Sequence, residues 1–207
     1  MKQLQYDRSI PHEWRTSWSN RYGRHEILRI VESLFNCLYV RDPSTAEHSL
    51  HMAQYSYRLA RFFDKENAYI YYIGSLTHDI GKVGMSDKIL KGKKKLTLDE
   101  REILREHVVD GYKILSGLGL PQIMLDIVRY HHERYDGSGY LEGMQGTDIP
   151  LAGRITAITD TYSAITSNRP YSRAVVHEEA IEIMLKDRNQ FDPTILTYFE
   201  NMVSKWK

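Results

Sequence analysis

Five of the nine histidines and two aspartates fall in an order that suits metal-ion chemistry: His48, then His78-Asp79, His107, the pair His131-His132, and Asp160. Imidazole and carboxylate together suit zinc, iron or manganese, and one carboxylate can bridge two such ions. Seven ligand-type side chains exceed what a single ion takes and match a pair. Two ions about 3.5–4 Å apart are the usual equipment for attack on a phosphate ester.

Each member has a plainer reading on its own. His107 shares a helix face with Ile103, Leu104 and Gly111, where a lone histidine reads as a core residue bonded to a backbone carbonyl. His131 and His132 stand near a helix end, where imidazole is also favourable against the dipole. Adjacent helical residues point about 100° apart, so the pair can equally approach two ions. Asp79 closes an apolar helix, and Asp160 lies among Ile155, Ala157, Ile158, Ala164 and Ile165. A buried carboxylate without a cation is costly, so each needs a metal or, for Asp160, an arginine such as Arg154 or Arg169. Lys82, just past Gly81, serves either a phosphate oxygen or the carbonyls of a helix end.

Helices have to position these groups. Apolar residues repeat at helical spacing from Arg24 to Val40, and Asp42-Pro43 breaks the pattern. A second helix is predicted from about Thr45 to Phe63, and a third from Ala68 to Ile80, stopped by Gly81. Thr97 to Glu100 forms a capping-box pattern for a fourth. Pro121 suits a first helical position, with the helix continuing to about His132. After the turn-rich stretch 136–148, a mostly apolar helix runs from about Pro150 to Thr166. Two more follow near Val176–Lys186 and Pro193–Lys205. No alternating strand pattern occurs, so the expected fold is an all-α multi-helix bundle with a binuclear metal site in its core.

The 207 residues read as one domain at 24–207 behind an N-terminal arm, 1–23, that carries Trp14, Trp18 and Tyr22. A formal net charge of +1 gives no general pull toward nucleic acid polymers or membranes. The basic run Lys88 to Lys95 reads as a solvated loop, with a phosphate-attracting rim as the alternative. Cys37 is the single cysteine, so no internal disulfide forms and a reducing compartment fits. With no apolar leader or membrane-length run, a cytoplasmic location is expected.

The stretches RDPSTAEHS, LTHDIGKVGMSDKIL, LTLDEREILREHVVDGYKIL, IVRYHHERYDGSGY, IPLAGRITAITDTYSAITSNRPY and FDP resemble the HD superfamily of metal-dependent phosphohydrolases, and within it the HD-GYP group. The resemblance covers about Arg41 to Phe199 and implies hydrolysis of cyclic di-GMP to linear pGpG, and in some members on to GMP. It implies one ion on His48, His78, Asp79 and Asp160. The second would sit on Asp79, His107, His131 and His132, with Asp79 as the catalytic bridge and iron or manganese as the metals. Lys82 matches the lysine that meets the scissile phosphate, and Arg169 a phosphate-binding arginine. Gly139 and Tyr140 belong to the signature loop, and Arg173 lies near the position of a further basic residue.

The chain departs from the pattern at four places. Leu141 replaces the proline of the signature tripeptide. Ser44 stands where many members carry a glutamate that supports a third ion, so two ions are expected. Ser163 follows Tyr162 where an aspartate is common, and Ser172 replaces a basic residue. These changes touch the substrate shell and leave the metal set whole. They keep open a phosphohydrolase for another nucleotide or cyclic dinucleotide. A degenerate nucleotide-binding or interaction module would be expected to lose ligands. No sensory domain is legible ahead of the bundle, so input is expected through a regulatory partner protein or a further segment. The N-terminal aromatics are a candidate homodimer contact.

Overall fold

Asp42 ends one helix and begins the next. In the computed structural model, which describes residues 23–92, 96–167 and 174–204, the Asp42 N–H caps α1 (Arg24–Arg41) by donating to the Leu38 carbonyl. The Asp42 side chain then accepts from Ser44 N and Thr45 Oγ1 at the start of α2 (Pro43–Phe63). Pro43 sits in the first turn of α2, where its missing N–H costs nothing. The boundary expected at Thr45 therefore moves back to Pro43.

The third helix is shorter than the sequence predicts. Helix α3 covers Ala68–Ser75, and 76–79 are turns that lead into a 3₁₀ segment at Ile80–Gly84. The cause is local: Thr77 Oγ1 donates to the Gly74 carbonyl and His78 Nδ1 to the Ser75 carbonyl. Side chains that bond back to nearby carbonyls compete with helix continuation. His78 and Asp79 are thus displayed by a turn rather than by a helix.

Four-residue α4 (Asp87–Leu90) was not legible in the sequence. Helix α5 (Leu98–Ser116) starts with the expected capping box, Thr97 and Glu100 each accepting from the other's N–H. Such a cap is worth about 1 kcal/mol. Pro121 caps α6 (Gln122–Tyr130) from outside rather than opening it. Then come α7 (Leu151–Thr166), α8 (His177–Lys186) and α9 (Pro193–Val203). Asp192 caps α9 through Thr194 N and Ile195 N and also accepts from Arg154 Nη1 at 2.7 Å. The described residues contain no strand, in agreement with the all-α expectation.

Two apolar clusters hold the bundle together. One joins α1, α2, α3, α5 and α6 through residues such as Ile27, Leu38, Ala53, Ile73, Leu115 and Met124. The other gathers α7, α8 and α9 around Leu59 and Ile127, with Ile158, Met184 and Phe199 at its centre. Helices α2 and α6 feed both clusters, and α7 packs against both helices.

Gly81 lets the 3₁₀ segment lie directly on α5. A Cβ there would collide with the His107 carbonyl and come within 2.6 Å of Gly111 N. This contact brings the turn carrying His78-Asp79 against the helix carrying His107.

The arm at 1–22, Lys93–Lys95, the stretch 168–173 with Arg169, Ser172 and Arg173, and 205–207 lie outside the described residues. No described helix is long and apolar enough to cross a membrane.

Candidate metal centre

Three helices and two turns deliver the seven residues to one place. His48 comes from the first half of α2, His78-Asp79 from the turn after α3, and His107 from the middle of α5. His131-His132 follow the last residue of α6, and Asp160 lies in α7. His48, His78, Asp79, His107 and His131 are buried. The side chains of His132 and Asp160 keep 27% and 15% of their surface, which leaves the cage open on their side.

Backbone carbonyls fix which ring nitrogen faces inward. His78 Nδ1 donates to Ser75 O at 2.8 Å and His107 Nδ1 to Leu104 O at 2.6 Å. His131 Nδ1 is shared between Ile127 O and Val128 O at 3.1 and 3.0 Å. A carbonyl only accepts, so each Nδ1 carries the proton and each Nε2 of a neutral ring is a lone pair. At His48 the same result comes through Ser163. The Ser163 hydroxyl donates to His48 O at 3.2 Å and accepts from His48 Nδ1 at 3.0 Å.

With neutral rings the inward atoms are all acceptors. His48 Nε2 lies 2.8 Å from Asp160 Oδ1, and His78 Nε2 lies 3.2 Å from Asp79 Oδ2. His107 Nε2 lies 3.2 Å from Asp79 Oδ1 and 3.4 Å from His131 Nε2. Asp79 Oδ1 is buried and makes no hydrogen bond. Lone pairs at these separations repel unless a proton or a metal cation lies between them. Metal-binding histidines carry this signature, the second nitrogen being spent on a carbonyl or hydroxyl.

Charge state follows the same logic. Burial, then the neighbouring rings of His78 and His107, push His131 down to about 3, so it stays neutral and ligand-ready. Burial and His131 also hold His132 well below the usual histidine range. Burial opposes charge on Asp79, but Lys82, with Nζ 2.6 Å from Oδ2, and His78 keep the acid ionised. Burial likewise works against Asp160, and the hydrogen bond and charge of His48 prevail.

Three groups have ligand atoms mutually within 4.8 Å: His48, His78 and Asp160; His78, Asp79 and His131; and His107, His131 and His132. The first two share His78 and the last two share His131, and Asp79 belongs to the group that links the others. The donor set fits two ions of the zinc, iron or manganese kind.

The arginine alternative for Asp160 does not hold for Arg154, which pairs with Asp192 and the Ile149 carbonyl instead. Lys88 pairs with Glu100, and Lys91 with Asp87. Gly139 has a packing reason of its own: a Cβ there would strike Arg134 N and come within 2.6 Å of Glu133 Cα. Tyr140 stacks on His132 with ring centres 4.8 Å apart.

Two contributors escape a sequence reading. Glu133 is buried and accepts from the N–H groups of Glu142, Gly143 and Met144, which pins the loop after Tyr140. Only the need of that loop's donors for an acceptor hints at it. Ser163 stood out merely as a departure, although its hydroxyl orients His48.

A profile of the HD domain family matches residues 24–195. The chain belongs to the HD-domain family, in its HD-GYP-like group. It is 36% identical to a probable cyclic di-GMP phosphodiesterase of Vibrio cholerae, over 87% of this chain and 48% of the relative. It is 35% identical to the 3'3'-cGAMP-specific phosphodiesterase 2 of the same organism, over 86% of this chain and 34% of the relative. The chain thus spans between a third and a half of the length of these relatives. The HD domain of the L. monocytogenes phosphodiesterase PgpH superposes with a TM-score of 0.61 at 21% identity, covering 81% of this chain and 93% of that one. At that identity the likeness speaks for the fold alone.

Proposed function

We propose that the chain is a metal-dependent phosphodiesterase that opens cyclic di-GMP to linear pGpG, with cleavage on to GMP as a second step. One observation carries the reading. Four imidazole nitrogens converge on each other and on two carboxylates, an arrangement with the donor set and spacing of a metal site.

His48, His78, Asp79 and Asp160 would hold one ion, and Asp79, His107, His131 and His132 the other. When bound, such a pair supplies Lewis acidity and makes hydroxide accessible near neutral pH. The chain's own groups do the rest. The carbonyls of Ser75, Leu104, Ile127 and Val128 hold three rings in the ligand tautomer. Asp79, ionised in spite of burial, would offer its negative charge to both ions. Lys82 pairs with that carboxylate, and once Asp79 is satisfied by ions its ammonium is available to a phosphate oxygen. Arg169 and Arg173 are assigned further phosphate contacts, and Gly139 with Tyr140 the wall of the substrate cleft.

Iron or manganese suits the mixed imidazole and carboxylate set. An exposed, unpaired Cys37 agrees with a reducing, cytoplasmic setting. In this reading residues 24–207 form the catalytic unit. The arm at 1–23 is assigned to contact with a second copy or a regulatory partner.

A second reading, hydrolysis of another cyclic dinucleotide or nucleotide, is favoured by Leu141 in the signature loop and by the 3'3'-cGAMP named for one relative. Metal-loaded protein assayed anaerobically on a panel of cyclic and linear nucleotides separates the two. Turnover of cyclic di-GMP above the others supports the first. Turnover of another nucleotide alone transfers the assignment to it. Binding without cleavage of any would make the chain a nucleotide-binding module.

A further inference from the structure

His132 is held differently from the other histidines of the cage. Among the described residues no carbonyl or hydroxyl pins its Nδ1, which instead faces Asp160 Oδ2 at 4.0 Å. Its orientation comes from Tyr140. The Tyr140 N–H donates to the His132 carbonyl at 3.2 Å, and the two rings stack at 27°.

Tyr140 is itself held by Arg105. The Arg105 guanidinium carbon lies 4.7 Å from the centre of the Tyr140 ring. Glu102, one turn earlier on α5, fixes the guanidinium from behind with Oε1 2.7 Å from Nη1. A guanidinium over a tyrosine face is worth about 0.5–1 kcal/mol where partly exposed.

Arg105 precedes His107 by two residues on the same helix. The His107 and His132 rings are 5.2 Å apart, the two facing ends of one candidate ion site. Helix α5 therefore reaches that site twice, directly through His107 and indirectly through Arg105, Tyr140 and His132.

We infer that Arg105 is a positioning residue for the second metal site, clamping Tyr140 so that the Tyr140 ring keeps His132 in its ligand orientation. This rests on the two-ion reading proposed above. Such outer contacts are worth about 10–100-fold in metal affinity.

The test is stepwise titration of the metal-stripped chain with Mn(II), followed by calorimetry and elemental analysis, on the parent, Arg105→Ala, Arg105→Lys and Tyr140→Phe. Thermal unfolding of the metal-free proteins is measured alongside. The expected result is two ions in the parent. Arg105→Ala weakens one of them about 10-fold, leaves the other unchanged, and lowers the metal-free unfolding temperature by no more than about 4 °C, the share of the lost ring contact. Arg105→Lys, which keeps a cation over the ring, and Tyr140→Phe, which keeps the ring, retain most of the affinity. Unchanged binding of both ions in Arg105→Ala overturns the inference, as does equal weakening of both or loss of cooperative unfolding in the metal-free variant. A parent that takes up one ion or none overturns the two-ion reading itself.

Discussion

His107 Nε2 and His131 Nε2 face each other at 3.4 Å, and each ring has already committed its Nδ1 proton to a backbone carbonyl. Two lone pairs at that distance define a place for a positive charge. His48 Nε2 and Asp160 Oδ1 meet at 2.8 Å, and Asp79 touches His78 through one oxygen and His107 through the other. The cage has the donor groups and spacing that could hold metal cations.

In the proposed two-ion site, Asp79 is the residue both ions would share. Replacing it with Ala is expected to abolish turnover and remove both ions, because His78 and His107 each lose their carboxylate partner. Elemental analysis beside an activity assay checks this. Retention of two ions would deny Asp79 the bridging role.

Lys82 should behave in the opposite way. Its ammonium competes with cations for Asp79 Oδ2, so Lys82→Ala is expected to keep or raise metal content. Turnover is expected to fall by about 10²–10³-fold, the usual cost of one group that stabilises transition-state charge. Steady-state kinetics on protein of measured metal content reads both effects. Equal loss of ions and turnover would contradict the role.

The metal-free protein should be most stable near pH 6.5. His131, pushed down to about 3, and His132 stay neutral in the fold while the unfolded rings protonate from the ordinary value of 6.5. Stability therefore falls as pH drops from there. Asp79 and Asp160, held well below 3.8, add a further loss once unfolded carboxylates take up protons. On the alkaline side His78, raised above 6.5 by Asp79 against the effect of burial, loses its contribution as pH climbs through its folded value. Calorimetry in chelator across pH 3 to 9 checks the sign, since Mn(II), by displacing those protons, should shift the maximum upward.

Glu133→Ala should loosen the loop beyond Tyr140. It strips the acceptor from three backbone N–H groups, a loss of about 1–3 kcal/mol. A lowered unfolding temperature with accelerated amide exchange at Glu142, Gly143 and Met144 is expected. Unchanged exchange there would mean that the loop is held by other contacts.

Much of this was legible in the sequence because helical periodicity and caps are local. The capping box at Thr97 and the helix start at Asp192-Pro193 are realised as written. The clustering of five histidines and two acids was legible from their order, and the acids stood out because carboxylates do not sit among apolar residues without a partner. What the sequence hides is the display of those ligands. His78 and Asp79 read as helical because Ile70, Ile73 and Leu76 keep helical spacing. The turn arises from side chains of Thr77 and His78 that bond back to carbonyls. His131 and His132 fall just beyond α6 for a related reason, the His131 ring using the carbonyls of Ile127 and Val128. Long-range partners leave no periodic trace, so Glu133 under its loop, Ser163 on His48 and Arg105 over Tyr140 come only from the folded chain.

The most direct test of the cation pair is anomalous X-ray scattering at the metal absorption edge from crystals of the chain purified anaerobically and loaded with Fe(II) or Mn(II). Two peaks per chain about 3.5–4 Å apart are expected, with Asp79 between them, one peak beside His48, His78 and Asp160 and the other beside His107, His131 and His132. A single peak, or a cage in which the seven side chains bond only to one another while ions bind elsewhere, would contradict it.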